Sequence, residues 1–412
     1  MLLNRARHPV RILAALACLT TLLASCSDAN TGPQPTAGVV RPGSPVSDRS
    51  SLPDPAETTA RWNRLALQLV ALHEVAPPKA ARIYAYLSVA QDRAANLLTD
   101  DDDRDRSPGN WATHTAINEA SAQILRHLFV TELAFTADEL TIAGEAAKLH
   151  LRGGDDTGPT SAGARIADAL IARARTDRAD ATWTGSVPVG PGLWLGTAPQ
   201  LPAWGQLRPW LMRSADQFRA PAPPAFGSAR FLADLAEVRR VSDSRSAEQL
   251  RIATFWADGA GTSTPPGHWN EIATTLAAEH HLNERKTAHA LALMDMAISD
   301  AVVGCWDSKY TYWVIRPYQA DPQITTPIGK PPHPSYPSGH ACSSNAAAGV
   351  LAYLFPRDAE RVLAMATESG LSRIYGGIHY RFDIEAGRTL GRSVAAVAVR
   401  ADLQGGRKGE DR

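Results

Sequence analysis

The chain has 412 residues, with 42 basic and 42 acidic side chains, so its formal net charge is zero when histidine is neutral. A chain with this balance lacks the basic excess that holds nucleic acid, and we expect no nucleic-acid partner. The length is sufficient for a large buried core. The sequence leaves the oligomeric state open.

The N-terminal segment has the features of an export signal. Three arginines precede an apolar run at residues 12–24, and the four residues that end at Cys26 resemble a bacterial lipobox. We predict a lipoprotein signal peptide at residues 1–25, lipidation of Cys26 and a flexible tether at residues 26–54. The alternative is an ordinary signal peptide with a chance cysteine. A lipidated chain would be anchored to a membrane of the bacterial cell envelope and face the periplasm or the exterior.

Helical periodicity dominates the remaining chain. The pattern predicts a single all-α domain at residues 55–412, with a motif-bearing bundle at residues 286–403. After the leader we find no run of the roughly 18–20 apolar residues that a membrane-spanning helix needs. The predicted helices cover residues 61–76, 80–98, 112–129, 162–175, 247–256, 268–279, 286–307, 341–355, 358–369 and 382–403.

One long segment lacks helical periodicity. Residues 184–227 are rich in proline, glycine and tryptophan. Irregular connections of this length inside a domain usually have a function. Two interpretations remain open: the segment is a lid or wall over a functional site, or it wraps helix faces with buried tryptophans.

Three segments near the C-terminus combine cations, histidines and a carboxylate. The first has Lys309, six residues and Arg316-Pro317; the second is Pro337-Ser338-Gly339-His340; the third has Ser372-Arg373, five residues, His379, three residues and Asp383. Arginine offers a planar fork that matches two oxyanion oxygens, while lysine adds a point charge. This set of residues predicts a site for phosphate or an ion of similar shape.

The second and third segments add acid–base groups. Ser338 and Gly339 precede a predicted helix, so their N–H groups would lie at its positive end, where anions bind. Asp383 follows His379 by four positions and can accept from one imidazole nitrogen, which leaves the other for the anion. His340 then remains as the acid–base.

These motifs resemble the superfamily of type 2 phosphatidic acid phosphatases, bacterial class A acid phosphatases and vanadium-dependent haloperoxidases. The resemblance implies a helical bundle and a soluble branch of the superfamily. For a phosphatase it implies that His379 attacks phosphorus and that His340 protonates the leaving oxygen. For a haloperoxidase it implies vanadate as cofactor, His379 as its axial ligand, and oxidation of a halide by peroxide.

The resemblance extends to three neighbouring positions. His333 lies where bromoperoxidases carry histidine and chloroperoxidases an aromatic residue, which implies bromide rather than chloride as substrate. Asp300 and Trp306 resemble an aspartate and a tryptophan that precede the lysine in haloperoxidases. We expect Asp300 to pair with a cation of the site and Trp306 to pack beside it.

The function has three alternatives at this point. We favour a haloperoxidase over a periplasmic acid phosphatase because of His333 and because the soluble phosphatases are shorter. A non-catalytic oxyanion-binding lipoprotein is the third, and the two histidines with Asp383 argue against it because binding alone does not need them. In the domain, Cys305 and Cys342 lie close to the motifs, either as free thiols or as a disulfide.

Overall fold

The computed structural model describes residues 57–97, 111–149 and 157–410 of the chain. The predicted signal peptide, Cys26 and the whole predicted tether lie outside the described residues. The described part is all-α, as expected, and contains thirteen α-helices and no β-strand. The helices are α1 Glu57–Leu72, α2 Pro77–Ala95, α3 Trp111–Leu125, α4 Ala137–Leu149, α5 Thr157–Ala174, α6 Ala229–Ser244, α7 Ala247–Phe255, α8 Thr264–Glu279, α9 Glu284–Tyr312, α10 Pro317–Ala320, α11 Gly339–Leu354, α12 Ala359–Tyr375 and α13 Arg381–Glu410.

Ten of these helices correspond to the predicted ones, while α4, α6 and α10 were not predicted. α6 buries Phe231, Asp234 and Val238, a face too narrow to give a clear apolar period. α10 has four residues, which is too short for any periodicity. α3 continues into a π-helical segment at Arg126–Glu132, a change of hydrogen bonding that an apolar pattern does not reveal.

Helix α9 is the central element of the fold. It contacts α2, α8, α11 and α13, and Asn283 caps its start by accepting from the Lys286 N–H. By length and hydropathy α9 could cross a membrane. This differs from our expectation that no sufficiently long apolar run follows the signal peptide. However, 89% of the apolar window of α9 is buried inside the protein. We therefore treat α9 as the core helix that carries Lys309 in its last turn.

Small residues allow α11 and α13 to approach closely. Ala346, Ala347 and Ala348 of α11 have no exposed surface. At Gly387 of α13 a Cβ atom would lie 2.7 Å from the carbonyl oxygen of Ser338, so a side chain there would push the helices apart. The N-terminus of α11 is thus held beside the first turn of α13, which carries Asp383.

The segment at residues 184–227 is irregular, apart from a short 3-10 turn at Trp204–Gln206. Trp194 and Trp204 are buried. Within this segment, the Gln200 carbonyl oxygen accepts from Trp306 Nε1–H and Tyr310 Oη–H of α9. The segment therefore covers helix faces.

Candidate active site

His379 and Asp383 form the hydrogen-bonded pair that the sequence predicted. His379 lies in the turn between α12 and α13, where Gly377 has a left-handed φ of 74°. Its Nδ1–H donates to Asp383 Oδ2 at 2.8 Å. This bond fixes the tautomer in which Nε2 carries the lone pair, as a nucleophile or an axial ligand requires.

Two further donors hold the Asp383 carboxylate. Ser335 Oγ–H donates to Oδ2 at 2.5 Å and the Tyr380 N–H at 3.0 Å. Burial raises the pKa of Asp383 to about 6, although the Ser335 bond and the Lys309 charge favour the ionised form. The carboxylate is ionised above that pH and then keeps the imidazole of His379 oriented.

Arg316 is fully buried and links the imidazole of His379, in the third segment, to that of His333, which precedes the second segment. Its Nη1–H donates to His379 Nε2 at 3.1 Å and to the Ile378 carbonyl oxygen at 2.7 Å. Its Nη2–H donates to His333 Nδ1 at 3.0 Å. An oxyanion that accepts from this guanidinium in place of Nε2 would release the lone pair of His379.

Lys309 also has no exposed surface, and its ammonium group is bound to a loop. The three Nζ hydrogens donate to the carbonyl oxygens of Pro334, Ser335 and Pro337, at 2.9, 2.9 and 2.6 Å. Burial lowers the pKa of Lys309 to about 8. The structure therefore gives Lys309 a role that the sequence did not predict, which is to hold the loop that leads to His340.

Arg373 and His340 are both positioned by backbone carbonyl groups. Arg373 Nη2–H donates to the Ala253 carbonyl oxygen at 3.0 Å, and burial lowers its pKa to about 10, so it stays charged near neutral pH. His340 Nε2–H donates to the Trp256 carbonyl oxygen at 2.9 Å. A carbonyl oxygen accepts but does not donate, so the neutral His340 carries its lone pair on Nδ1.

The predicted anion site at the start of α11 needs one correction. The Ser338 N–H donates to the Asp383 carbonyl oxygen at 3.0 Å, so this amide is used by the protein and is not free for an anion. The Ser338 hydroxyl accepts from the Ala341 N–H and caps the helix. Gly339, as the first residue of α11, has an N–H without an acceptor inside the helix, and this amide remains for the anion.

The groups meet at a cavity of about 340 Å³. His379, His340, Gly339 and Arg373 line it together, whereas Lys309 and Arg316 lie behind its wall. The long irregular segment contributes Gln200 to the wall, so the wall interpretation and the wrapping interpretation both describe it. The remaining wall is largely apolar and includes Val75, Ala76, Pro77, Pro265, Pro266, Val302, Trp306, Ile328, Pro331, Pro332 and His333.

The three neighbouring positions have different roles. Trp306 lines the cavity and packs against the His333 ring, with ring centroids 5.1 Å apart, as expected for a residue beside the site. The expected pairing of Asp300 with a site cation is wrong. Its carboxylate accepts at 2.7 Å from each of three backbone N–H groups of the irregular segment, at residues 210–212.

Some residues of the site were missed from the sequence. Ser335 contacts Asp383, and Asp258 lies in the cavity wall with its Oδ2 at 3.9 Å from His340 Nε2. These contacts join segments that are distant in the chain, and no short motif marks them. Cys305 and Cys342 are fully buried free thiols.

Fold and site together define an all-α protein in which three buried cations lie in or behind the wall of a cavity, and three histidines, at positions 333, 340 and 379, line it. Residues 288–405 match the sequence profile of the PAP2 superfamily, and this part of the chain belongs to that superfamily. The chain is 27% identical over 183 residues to a non-specific acid phosphatase of Providencia stuartii, which covers 43% of this chain and 71% of that protein. It is also 31% identical over 132 residues to a vanadium chloroperoxidase of Curvularia inaequalis. That alignment covers 24% of this chain and 22% of the chloroperoxidase, so the chain spans only about a fifth of that relative.

Solved structures extend the likeness beyond the motifs. A structure described as the first bacterial vanadium-dependent iodoperoxidase superposes with a TM-score of 0.66 at 27% identity, and covers 84% of this chain and 96% of that one. A holo-type bacterial vanadium-dependent chloroperoxidase gives a TM-score of 0.61 at 14% identity over 84% of this chain and 93% of that one, which shows a shared fold. The fold is therefore that of the vanadium haloperoxidases.

The donor set fits vanadate or phosphate. The cavity offers the Arg373 guanidinium, the Gly339 N–H and His379, whose Nε2 carries a lone pair, and these are the groups that a tetrahedral or trigonal-bipyramidal oxyanion needs. Among the described residues, no group of three or more His, Cys, Asp or Glu side chains could hold a metal cation. The guanidinium and N–H donors of the cavity are what suit it to an anion.

Proposed function

We propose that this protein is a vanadate-dependent haloperoxidase that uses peroxide to oxidise a halide, with bromide preferred over chloride. The observation that carries the proposal is the shared cavity of His379, His340 and Arg373, with His333 in the same wall. The likeness to the iodoperoxidase structure supports it, since that superposition covers 84% of the chain at 27% identity. Iodide is therefore a second candidate halide.

The residues would act as follows. Arg373 and the Gly339 N–H would bind oxygens of the anion, and Arg316 would add donors from behind the histidines. His379 Nε2 would be the protein ligand of the vanadium, while Asp383 accepts the Nδ1–H of the same ring. His340 takes up and returns a proton at Nδ1. Bound vanadate would supply the Lewis-acid centre that activates peroxide towards the halide.

A periplasmic acid phosphatase is the second candidate, because phosphate and vanadate would use the same donors. His379 Nε2 would then form a bond to phosphorus as the bond to the leaving oxygen breaks, and His340 would protonate that oxygen. Water activated by His340 would later release phosphate from the phosphohistidine. The likeness to the Providencia stuartii acid phosphatase favours this candidate.

Two paired assays on the mature protein separate the candidates. The first measures bromination, chlorination and iodination with peroxide, with and without vanadate. The second measures hydrolysis of a simple phosphate monoester without vanadate. We expect vanadate-dependent halogenation, with bromide turned over faster than chloride. Robust hydrolysis that vanadate inhibits, with no halogenation between about pH 5 and 8, where histidine titrates, would overturn the proposal and leave the phosphatase.

Two variants complete the design. His379→Ala removes the proposed ligand or nucleophile and should abolish turnover in both assays. His289→Ala is the matched control, because this histidine is paired with Asp402, at 2.8 Å, and does not line the cavity. Intact turnover in His379→Ala would contradict the role of His379 in both catalytic candidates.

We further propose that the chain is a lipoprotein anchored through Cys26 in the bacterial cell envelope. The support is the sequence of the leader alone, with its arginines, its apolar run and its lipobox-like end. Expression of the full chain in a bacterial host, followed by membrane fractionation, tests this. We expect wild type in the membrane fraction and Cys26→Ala to lose its lipid. An unlipidated wild-type chain would refute the anchor.

A further inference from the structure

A second histidine–carboxylate pair lies directly behind His340. His268, in the second turn of α8, donates from Nδ1–H to Asp258 Oδ1 at 3.1 Å. The other oxygen of the same carboxylate lies 3.9 Å from His340 Nε2. The carboxylate is therefore placed between two imidazoles, one in the cavity wall and one outside it.

The surroundings hold this pair in one position. The His268 ring stacks on the Trp256 indole, with centroids 4.5 Å apart and planes 20° apart, and its side chain is 14% exposed. Trp256 is also the residue whose carbonyl oxygen accepts from His340. Asp258 has a left-handed φ of 45°, a conformation that a residue with a side chain keeps only where its contacts impose it.

We propose that His268 is a positioning residue for His340, because it clamps the Asp258 carboxylate and through it fixes the His340 imidazole and moderates its proton affinity. The inference rests on the proposed function in one respect, namely that His340 is the acid–base of the cavity. It applies to halide oxidation and to phosphate hydrolysis alike. Trp256 adds a second path, since it contacts both rings.

The electrostatic effect has a definite sign. Burial would lower the pKa of His268, but the bond to Asp258 outweighs it and raises the pKa. A charged His268 neutralises part of the Asp258 field at His340. Removal of that cation leaves the carboxylate free to stabilise the imidazolium of His340, so the pKa of His340 should rise. The groups that face His340 are Arg373, Arg316, Asp258, His268, His333 and His379, and those that face His268 are Asp258, Glu271 and His340.

Two substitutions separate position from charge. His268→Asn keeps a donor near the place of Nδ1 but removes the charge, whereas His268→Phe removes both and keeps a ring against Trp256. His280→Asn is the matched control, because His280 is bonded to Asp358 at 2.6 Å and does not line the cavity. All three keep the cavity groups unchanged.

The main readout does not depend on turnover. Imidazole NMR signals are followed against pH, and the His340 signal is assigned by its loss in His340→Gln. We expect His340 to titrate about one unit higher in both His268 variants and unchanged in the control. The pH limb of kcat/KM should move by the same amount. The plateau rate should fall about tenfold in His268→Phe, a fraction of what an acid–base contributes, and recover in His268→Asn.

Unchanged titration of His340 in both variants would overturn the inference, as would an equal shift in the control. A shift of His340 in a protein that shows neither halogenation nor hydrolysis would support the clamp while the proposed function fails. The two failures are therefore distinguishable.

Discussion

Replacement of Asp383 by asparagine should separate catalysis from stability. In the wild type, Asp383 Oδ2 accepts from His379 Nδ1–H at 2.8 Å and from Ser335 Oγ–H at 2.5 Å. A hydrogen bond to a charged group contributes about 1.5–3 kcal/mol. Asparagine keeps an amide oxygen in place of Oδ2 but removes the charge of the acceptor. If the charged bond to His379 acts in the transition state, this change should lower kcat/KM by up to about 150-fold, because about 1.4 kcal/mol gives a factor of ten.

Stability should change in the other direction. The pKa of Asp383 is raised from 3.8 to about 6, so folding takes up a proton between these values and the ionised group lowers stability above pH 6. The shift corresponds to about 3 kcal/mol. Asparagine carries no charge and therefore lacks the cost of burying an ionised carboxylate. Its NH₂ group would take the place of Oδ1, an atom that has no hydrogen-bond partner in the wild type. We expect the free energy of unfolding of Asp383→Asn at pH 8 to equal or exceed that of the wild type, and the difference to shrink near pH 4.

Asp295→Asn is the matched control for this experiment. Asp295 is a buried carboxyl of the same helix as Lys309, its pKa is raised by burial to about 7, and it does not line the cavity. Steady-state kinetics and urea unfolding of both variants give the comparison. Wild-type kcat/KM in Asp383→Asn, or an equal loss in Asp295→Asn, would refute the role assigned to Asp383.

Two further predictions follow from the buried charges. Turnover should show a bell-shaped pH profile, because Asp383 is protonated as pH falls through about 6 and Lys309 loses its charge as pH rises through about 8; a flat rate from pH 5 to 9 would contradict this. Asp300→Ala should lower the free energy of unfolding by about 1–3 kcal/mol or more, since three N–H groups at residues 210–212 lose their acceptor; urea unfolding that matches the wild type would contradict it.

The sequence predicted those features that depend on residues close together in the chain. The ten long helices have apolar periods, and the His379–Asp383 pair depends on a spacing of four residues. The sequence failed where a contact depends on backbone atoms of a distant segment. The role of Lys309 is an example, since its three acceptors are carbonyl oxygens of a loop that residue type does not specify. The same holds for the Trp256 carbonyl oxygen that fixes His340.

Asp300 is a second example in which residue type did not reveal a backbone partner. Its chemistry predicted a partner with a positive charge, and three backbone N–H groups satisfy a buried carboxylate equally well. A sequence motif states which charges are present but not which of them already have partners. The Ser338 N–H was assigned to an anion for the same reason, and the fold uses it to join α11 to α13.

The balance of buried charge explains why the site suits an oxyanion without selecting one. Lys309, Arg316 and Arg373 are each at most 1% exposed, and the carboxylates that face them are Asp383 and Asp258. A buried cation without a counter-charge is unfavourable, so a bound anion completes the site. Phosphate and vanadate satisfy this requirement equally. We therefore expect the selection between the two reactions to come from the cavity wall, where His333, Trp306 and Gln200 lie.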